Sequence, residues 1–348
     1  MNEISYEDAL LLENPIFIDV RAPVEFTADH IPGAINIPLF DDAERAEIGT
    51  IYRHRGQYEA VVKGSSYAGA KLDGIVSRVR DITGKGSVII HCFRGGMRSE
   101  SLVSLLVSLG IPVRKLAGGY KSYRNYVSDA LQRLVIRAPL FVLHGLTGTG
   151  KTRILKHIAN SIDLEGMAGH RSSVFGGLGL EQNTQKMFES LLLARAGELA
   201  GAEFAVIEGE SRKIGDLHIP PPVFSALTAS PGILITASME MRVRVLLDEY
   251  VKCAGEGQVE AIVKSLENRI GGKNVIILLE LFRDDKLEEF AQFLLEKYYD
   301  PLYHHTLKKM EYIAVIDNSD SSVAAVEVES AVRRHLREGN SGSGIAGR

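Results

Sequence analysis

The sequence predicts an α/β protein made of two successive parallel-sheet domains, and three observations carry that prediction. The chain has 348 residues, more than one hydrophobic core usually supports. Short β-branched and aliphatic runs alternate with segments of helical apolar spacing, the pattern of a parallel sheet covered by helices on both faces. Two of the apolar runs end in glycine-containing loops that open a helix, at residues 92–99 and 145–152, and such a junction is a ready anion site.

The composition narrows the class. Forty Lys and Arg against 44 Asp and Glu give a formal net charge of −4, which argues against a generally basic nucleic-acid binder but leaves room for a local basic face. Cys92 and Cys253 lie far apart and form no CxxC spacing, so neither a disulfide framework nor a zinc cluster is expected. The acidic first residues lack a basic and apolar leader, and no run approaches the length of a membrane span. A cytoplasmic protein with no membrane partner is the expectation.

The first domain is expected over residues 1–136. Residues 5–13 have the spacing of a short helix, and Ile16 to Val20 read as a buried strand. Around the prolines that follow, Asp19, Arg21, Glu25 and His30 read as braces for irregular loops. Residues 41–71 form a polar helical insertion carrying Arg53-His54-Arg55. The strand 88–91 delivers Cys92, Ser99 to Leu109 makes a helix with leucines on one side, and Val113 to Leu116 make another strand. Gly118-Gly119 then turn into a helix running to about Leu134.

Arg137-Ala138-Pro139 is the expected joint to a second domain over 137–337. Its strands are expected at Leu140 to His144, Phe204 to Ile207, Ile233 to Thr236 and Tyr312 to Ile316, with helices at 240–253, 258–270, 285–298 and 321–337. The glycine- and serine-rich end, 338–348, reads as a disordered tail.

Two stretches carry the chemistry. In His91-Cys92-Phe93-Arg94-Gly95-Gly96-Met97-Arg98-Ser99, a thiol at a strand end meets the amides of a tight turn and the start of a helix, which favour a thiolate and an anion beside it. Cys92 is the candidate nucleophile, with Arg98 and Arg94 as its cations. The spacing fits cysteine-dependent phosphatases as well as chalcogen-transferring loops, so these residues alone leave phosphate or chalcogen open. The second stretch, Gly145-Leu146-Thr147-Gly148-Thr149-Gly150-Lys151-Thr152, matches G-x-x-x-x-G-K-[ST] between a strand and a helix. Gly145, Thr147, Gly148, Thr149 and Gly150 would bring backbone amides to phosphate oxygens. Lys151 would supply charge, and Thr152 would hold a magnesium ion, with no direct protein metal cluster expected. Around this loop His170, Arg171, Glu208, Glu210 and Ser211 are substrate-loop or metal-supporting candidates, and Arg242 and Arg244 candidate phosphate clamps on a helix.

Together these stretches resemble the tRNA 2-selenouridine synthases, in which a rhodanese domain precedes a P-loop domain. The resemblance runs through His30 to Leu39, Ile48 to Tyr52, Cys92 to Ser99, Leu116 to Arg124, Gly145 to Thr152, Asp163 to Gly166, His170-Arg171, Phe175-Gly176 and Glu208 to Gly215. One departure is His91, where members of that family usually have tryptophan; with the loop spacing, it keeps the phosphatase alternative open. The resemblance implies selenium replacing sulfur at the wobble 2-thiouridine of tRNA, with selenophosphate and geranyl diphosphate as co-substrates and no tightly bound cofactor. It implies selenium handled at Cys92 and the prenyl diphosphate held by Lys151 and Thr152. The P-loop motif itself leaves ATP or GTP open. Arg53, Arg55, Lys121 and Arg124 are the candidate contacts to tRNA. A Cys92-dependent phosphatase or sulfurtransferase fused to an NTP-binding module, and a non-catalytic NTP-gated binding protein, are the alternative readings.

Overall fold

A computed structural model describes residues 3–249 and 255–342. The chain divides into two compact units, Met1–Gln132 with Glu189–Leu191, and Arg133–Phe188 with Leu192–Arg348.

The first unit contains β1 (Glu3–Ile4), α1 (Tyr6–Ala9), β2 (Pro15–Asp19), α2 (Pro23–Ala28), β3 (Ile35–Asn36), α3 (Asp42–Arg55), α4 (Gln57–Thr83), β4 (Ser87–His91), α5 (Met97–Ser108), β5 (Val113–Leu116) and α6 (Gly119–Gln132). Its five strands are parallel in the order β1-β5-β4-β2-β3. β4 is central because Val88, Ile89 and Ile90 are buried on both faces, as an inner parallel strand requires. The insertion is two helices broken at Gly56, whose φ of +99° ends α3. It runs on to Thr83 because Leu72, Ile75, Val76, Val79 and Ile82 keep packing against the core.

The second unit contains β6 (Leu140–His144), α7 (Lys151–Leu155), β7 (Ser161–Ile162), α8 (Leu164–Ala168), α9 (Gln185–Glu198), β8 (Ala205–Glu208), β9 (Lys213–Ile214), β10 (Leu217–His218), α10 (Pro221–Ala229), β11 (Gly232–Thr236) and α11 (Met239–Glu249). It continues through α12 (Glu256–Ser265), α13 (Glu267–Ile270), α14 (Gly272–Arg283), α15 (Leu287–Leu294), a π-helical turn (Leu295–Tyr299), α16 (Asp300–Leu307), β12 (Tyr312–Asp317) and α17 (Ser321–Gly342). Five parallel strands run β12-β11-β6-β8-β7, with β9 and β10 as a separate antiparallel hairpin. Alternate side chains of β6 enter two cores: Leu140 and Val142 on one face, Phe141 and Leu143 on the other.

Several expectations are corrected. The first helix is four residues long, not nine, because Asp8 is bound by the Ser5 cap and Leu10 already closes the helix. The stretch 258–270 is two helices, and 285–298 passes into the π-helical turn. The tail expected from 338 is still helical to Gly342, as a continuation of α17; residues 343–348 and Cys253 lie outside the described residues. Among the described residues no helix is long and apolar enough to cross a membrane.

Candidate active sites

Cys92 leaves the C-terminal end of β4, where ligands gather in open parallel sheets. It is 3% exposed. Its loop is fixed from behind by the start of α6: the Tyr120 amide donates to the Cys92 carbonyl (2.9 Å) and the Lys121 amide to the Phe93 carbonyl (2.8 Å). This approach needs Gly119, at φ +61°, because a Cβ there would collide with Gly95 N and Cys92 O. Below the loop Arg21 donates to Asp19 from Nε (2.8 Å) and Nη2 (2.6 Å), reaches the Asp29 carbonyl, and lies 3.9 Å from the Tyr120 ring centre. His30 stacks on Phe26 with its Nδ1 at the Phe26 carbonyl (2.8 Å).

The sulfur has one side-chain neighbour that the motif did not single out. Ser99, fully buried in the first turn of α5, donates from Oγ to Cys92 Sγ at 3.2 Å. Arg98 is turned to Glu25 (3.1 Å), which also caps the Ala22 amide, and Arg94 is exposed on the loop. His91 points into the sheet beside Asp19 (3.8 Å), and burial holds its imidazole below the usual range. An apolar cavity of about 380 Å³ adjoins this unit's loop helix, walled by Phe40, Ile48, Ala60 and Val61 and edged by Met97 and Arg98.

In the second unit the loop 145–150 follows β6, and Gly148 and Gly150 take φ of +82° and +77°. Lys151 Nζ donates to the Gly145 carbonyl (3.2 Å), closing the loop over itself. The Thr152 hydroxyl lies between two carboxylates, Glu165 Oε2 at 3.1 Å and Glu208 Oε2 at 3.2 Å, and the Glu165 amide donates to Glu208 Oε1 at 2.7 Å. Burial, reinforced by Glu210, pushes the Glu165 carboxyl up to about 8. Burial and then Glu165 hold Glu208 well above the carboxylate range, and burial raises Glu210 against the pull of Lys151. Glu165 stands in Asp163-Leu164-Glu165-Gly166; its place between Asp163, which caps α8, and Thr152 is the part that sequence reasoning missed.

Other candidates fall differently. Arg171 and Glu210 line the cavity at the P-loop, as does Ser211, whose hydroxyl donates to the Lys213 carbonyl. His170 is packed among Gly176, Gly177 and Gly215. Arg242 is not free to clamp a phosphate: it is 5% exposed, donates to the Thr147 carbonyl (2.9 Å), and forms a two-point pair with Asp300. Arg244 pairs with Glu240 on an exposed helix face (3.1 Å). Arg53, Arg55 and Lys121 are exposed. Arg124 departs from the open cation expected, since its side chain is 13% exposed and ion-paired with Asp29. Among the described residues no group of three or more His, Cys, Asp or Glu is arranged to hold a metal ion.

The cavity in front of the P-loop measures about 430 Å³. Lys151, Thr152, Glu165 and Glu210 line one side. Phe224, Leu227, Val245, Leu302, Leu307 and Met310 form an apolar wall.

Comparison with known proteins matches both units. Residues 6–126 fit the rhodanese-like domain, and residues 138–333 fit the tRNA 2-selenouridine synthase AAA domain. A tRNA 2-selenouridine synthase of Pseudomonas syringae pv. syringae strain B728a is 34% identical over 87% of this chain and 93% of its own length. Those of Sulfurovum sp. strain NBC37-1 and Shewanella sp. strain MR-7 are each 32% identical, over 86% and 87% of this chain and 91% and 90% of their own.

Proposed function

Because this chain belongs to the tRNA 2-selenouridine synthase family, we propose that it replaces sulfur by selenium at the wobble 2-thiouridine of tRNA, drawing selenium from selenophosphate and passing through a geranylated base made from geranyl diphosphate. The observation that carries the second half is the apolar wall facing the P-loop. A nucleotide would put a polar base there. A ten-carbon prenyl chain gains instead about 0.8 kcal/mol per buried methylene, on top of what the loop amides and Lys151 give the diphosphate.

In geranyl transfer the base sulfur attacks C1 of the donor, the C1–O bond breaks, and diphosphate leaves with the bonding pair. The protein's part is to hold that growing charge with Lys151 and the amides of 147–150. A magnesium ion suits the same place, because Thr152 sits between Glu165 and Glu208 in a surplus of buried carboxyls. Thr152 would bind it directly and Glu208 through water; when bound it neutralises phosphate charge. In the selenation step the selenium of selenophosphate, handled at Cys92 with its negative charge offset by Arg94 and by Arg98 once released from Glu25, bonds to C2 of the base as the C2–S bond breaks and geranyl thiolate leaves, and water then cleaves the Se–P bond to release phosphate. The apolar cavity between α3, α4 and α5 would give the geranyl chain a place next to Met97 and Arg98 at the end of the cysteine loop. The exposed Arg53, Arg55 and Lys121 are the proposed tRNA phosphate contacts.

The test is mass spectrometry of wobble nucleosides after incubating 2-thiouridine tRNA with selenophosphate, with and without geranyl diphosphate. Cys92→Ser should abolish selenation while geranylated base still forms, and Lys151→Ala should remove geranyl transfer. Loss of both activities in a folded, tRNA-binding Cys92→Ser protein refutes the division of labour. Turnover of an aryl phosphate by the parent protein but not by Cys92→Ser would favour the phosphatase reading instead.

A further inference from the structure

We propose that Ser99 is a positioning residue whose hydroxyl follows the charge on Cys92, donating to the sulfur when it is a thiolate and to the Gly96 carbonyl when it is a thiol. The geometry offers the hydroxyl two acceptors and one proton. Ser99 Oγ is 3.2 Å from Cys92 Sγ and 3.2 Å from the Gly96 carbonyl oxygen, and the sulfur is 3.8 Å from that same oxygen. A thiol can point its own proton at Gly96 O, leaving Ser99 nothing to add at the sulfur. A thiolate has lost that proton and becomes the stronger acceptor, so rotation about the Ser99 Cβ–Oγ bond supplies it with a charge-assisted hydrogen bond. Ser99 is fully buried, so the hydroxyl has no solvent partner to prefer.

The arginines of the loop do not already fill this role, since Arg98 is committed to Glu25 and Arg94 is exposed. Charged or titratable groups on the loop and the elements packed against it include His91 and Asp19 at the strand ends, Arg21, Glu25 on α2, Arg94 and Arg98 on the loop, and Tyr120 and Lys121 on α6. All are retained when Ser99 is changed. Burial lowers the His91 imidazole below its usual range.

The inference rests on the reading of Cys92 as the nucleophile, but the measurement that decides it needs neither tRNA nor a selenium donor. Iodoacetamide reports the thiolate directly: the sulfur attacks carbon, iodide leaves, and the rate rises with pH through the ionisation midpoint. The rate is read on the Cys92 peptide by mass spectrometry, which separates it from the chain's second cysteine. Ser99→Val and Ser99→Thr have the same shape and differ by the hydroxyl. Ser99→Thr should keep the parent midpoint, whereas Ser99→Val and Ser99→Ala should move it up by about one pH unit, a tenfold loss of thiolate below the midpoint. Selenation kcat should fall in the same proportion with KM for tRNA unchanged. Equal midpoints for the Val and Thr proteins, at matched thermal midpoints, overturn the proposal. Should Ser99→Ala not fold, the Val and Thr pair still decides. A shifted midpoint without selenation in the parent protein would keep Ser99's role and reject the functional reading instead.

Discussion

Replacing Glu165 by glutamine should flatten the dependence of stability on pH. Burial, and then the nearby Glu210 carboxylate, push Glu165 up to about 8 in the folded protein, against 4.5 for an ordinary glutamate. Between those two values the folded state holds one proton that the unfolded chain has lost. Stability from the neutral carboxyl is therefore complete below about pH 4.5, and it falls by about 1.4 kcal/mol per pH unit as pH rises towards the folded value. Glutamine keeps the shape and cannot ionise, so Glu165→Gln should remove about that slope, and up to about twice as much if Glu208 relaxes towards the usual range with it. Urea unfolding at pH 5, 6, 7 and 8 in EDTA measures it. Magnesium with inorganic pyrophosphate should flatten the parent's curve in the same direction. A parent curve that is flat or rises from pH 5 to 8, or a variant with the parent's slope, refutes the reasoning.

Two further substitutions separate structure from chemistry. Gly119→Ala puts a Cβ into Gly95 N and Cys92 O at a left-handed backbone position; it should cost at least about 2 kcal/mol, read by urea unfolding, and slow alkylation of Cys92. Arg242→Ala strands the Asp300 carboxylate and frees the Thr147 carbonyl, for a loss of roughly 2–4 kcal/mol together with weaker pyrophosphate binding by calorimetry; unchanged affinity would refute its role as a loop brace.

What could be read from the sequence was what burial writes locally. The runs 88–91 and 140–144 are apolar on both faces and announce central strands, and each delivers a loop whose residue types state their chemistry. The two-residue strands β1, β3 and β7 are too short to show a period, and their pairing partners lie far along the chain. The insertion was legible as helical, but its length was not, since a polar exterior hides the apolar stripe of α4 until a core stands against it. Side-chain partnerships across long separations left no local mark. Arg98 reaches Glu25 and Arg242 reaches Asp300, so two arginines read as anion ligands from their motifs are already satisfied within the protein. Glu165 joins Thr152 only because α8 folds back beside β8. Ser99 was visible as part of a motif, but its bond to the sulfur depends on the pitch of α5.

The brace behind Cys92 also bears on how the protein is made. Its nucleophile is translated before the Gly118–Lys121 stretch whose backbone holds the loop. At about 5–20 residues per second, the thiol waits some seconds without that brace while the nascent chain lengthens. During that interval the loop lacks the two backbone hydrogen bonds from Tyr120 and Lys121, which only the synthesis of α6 supplies.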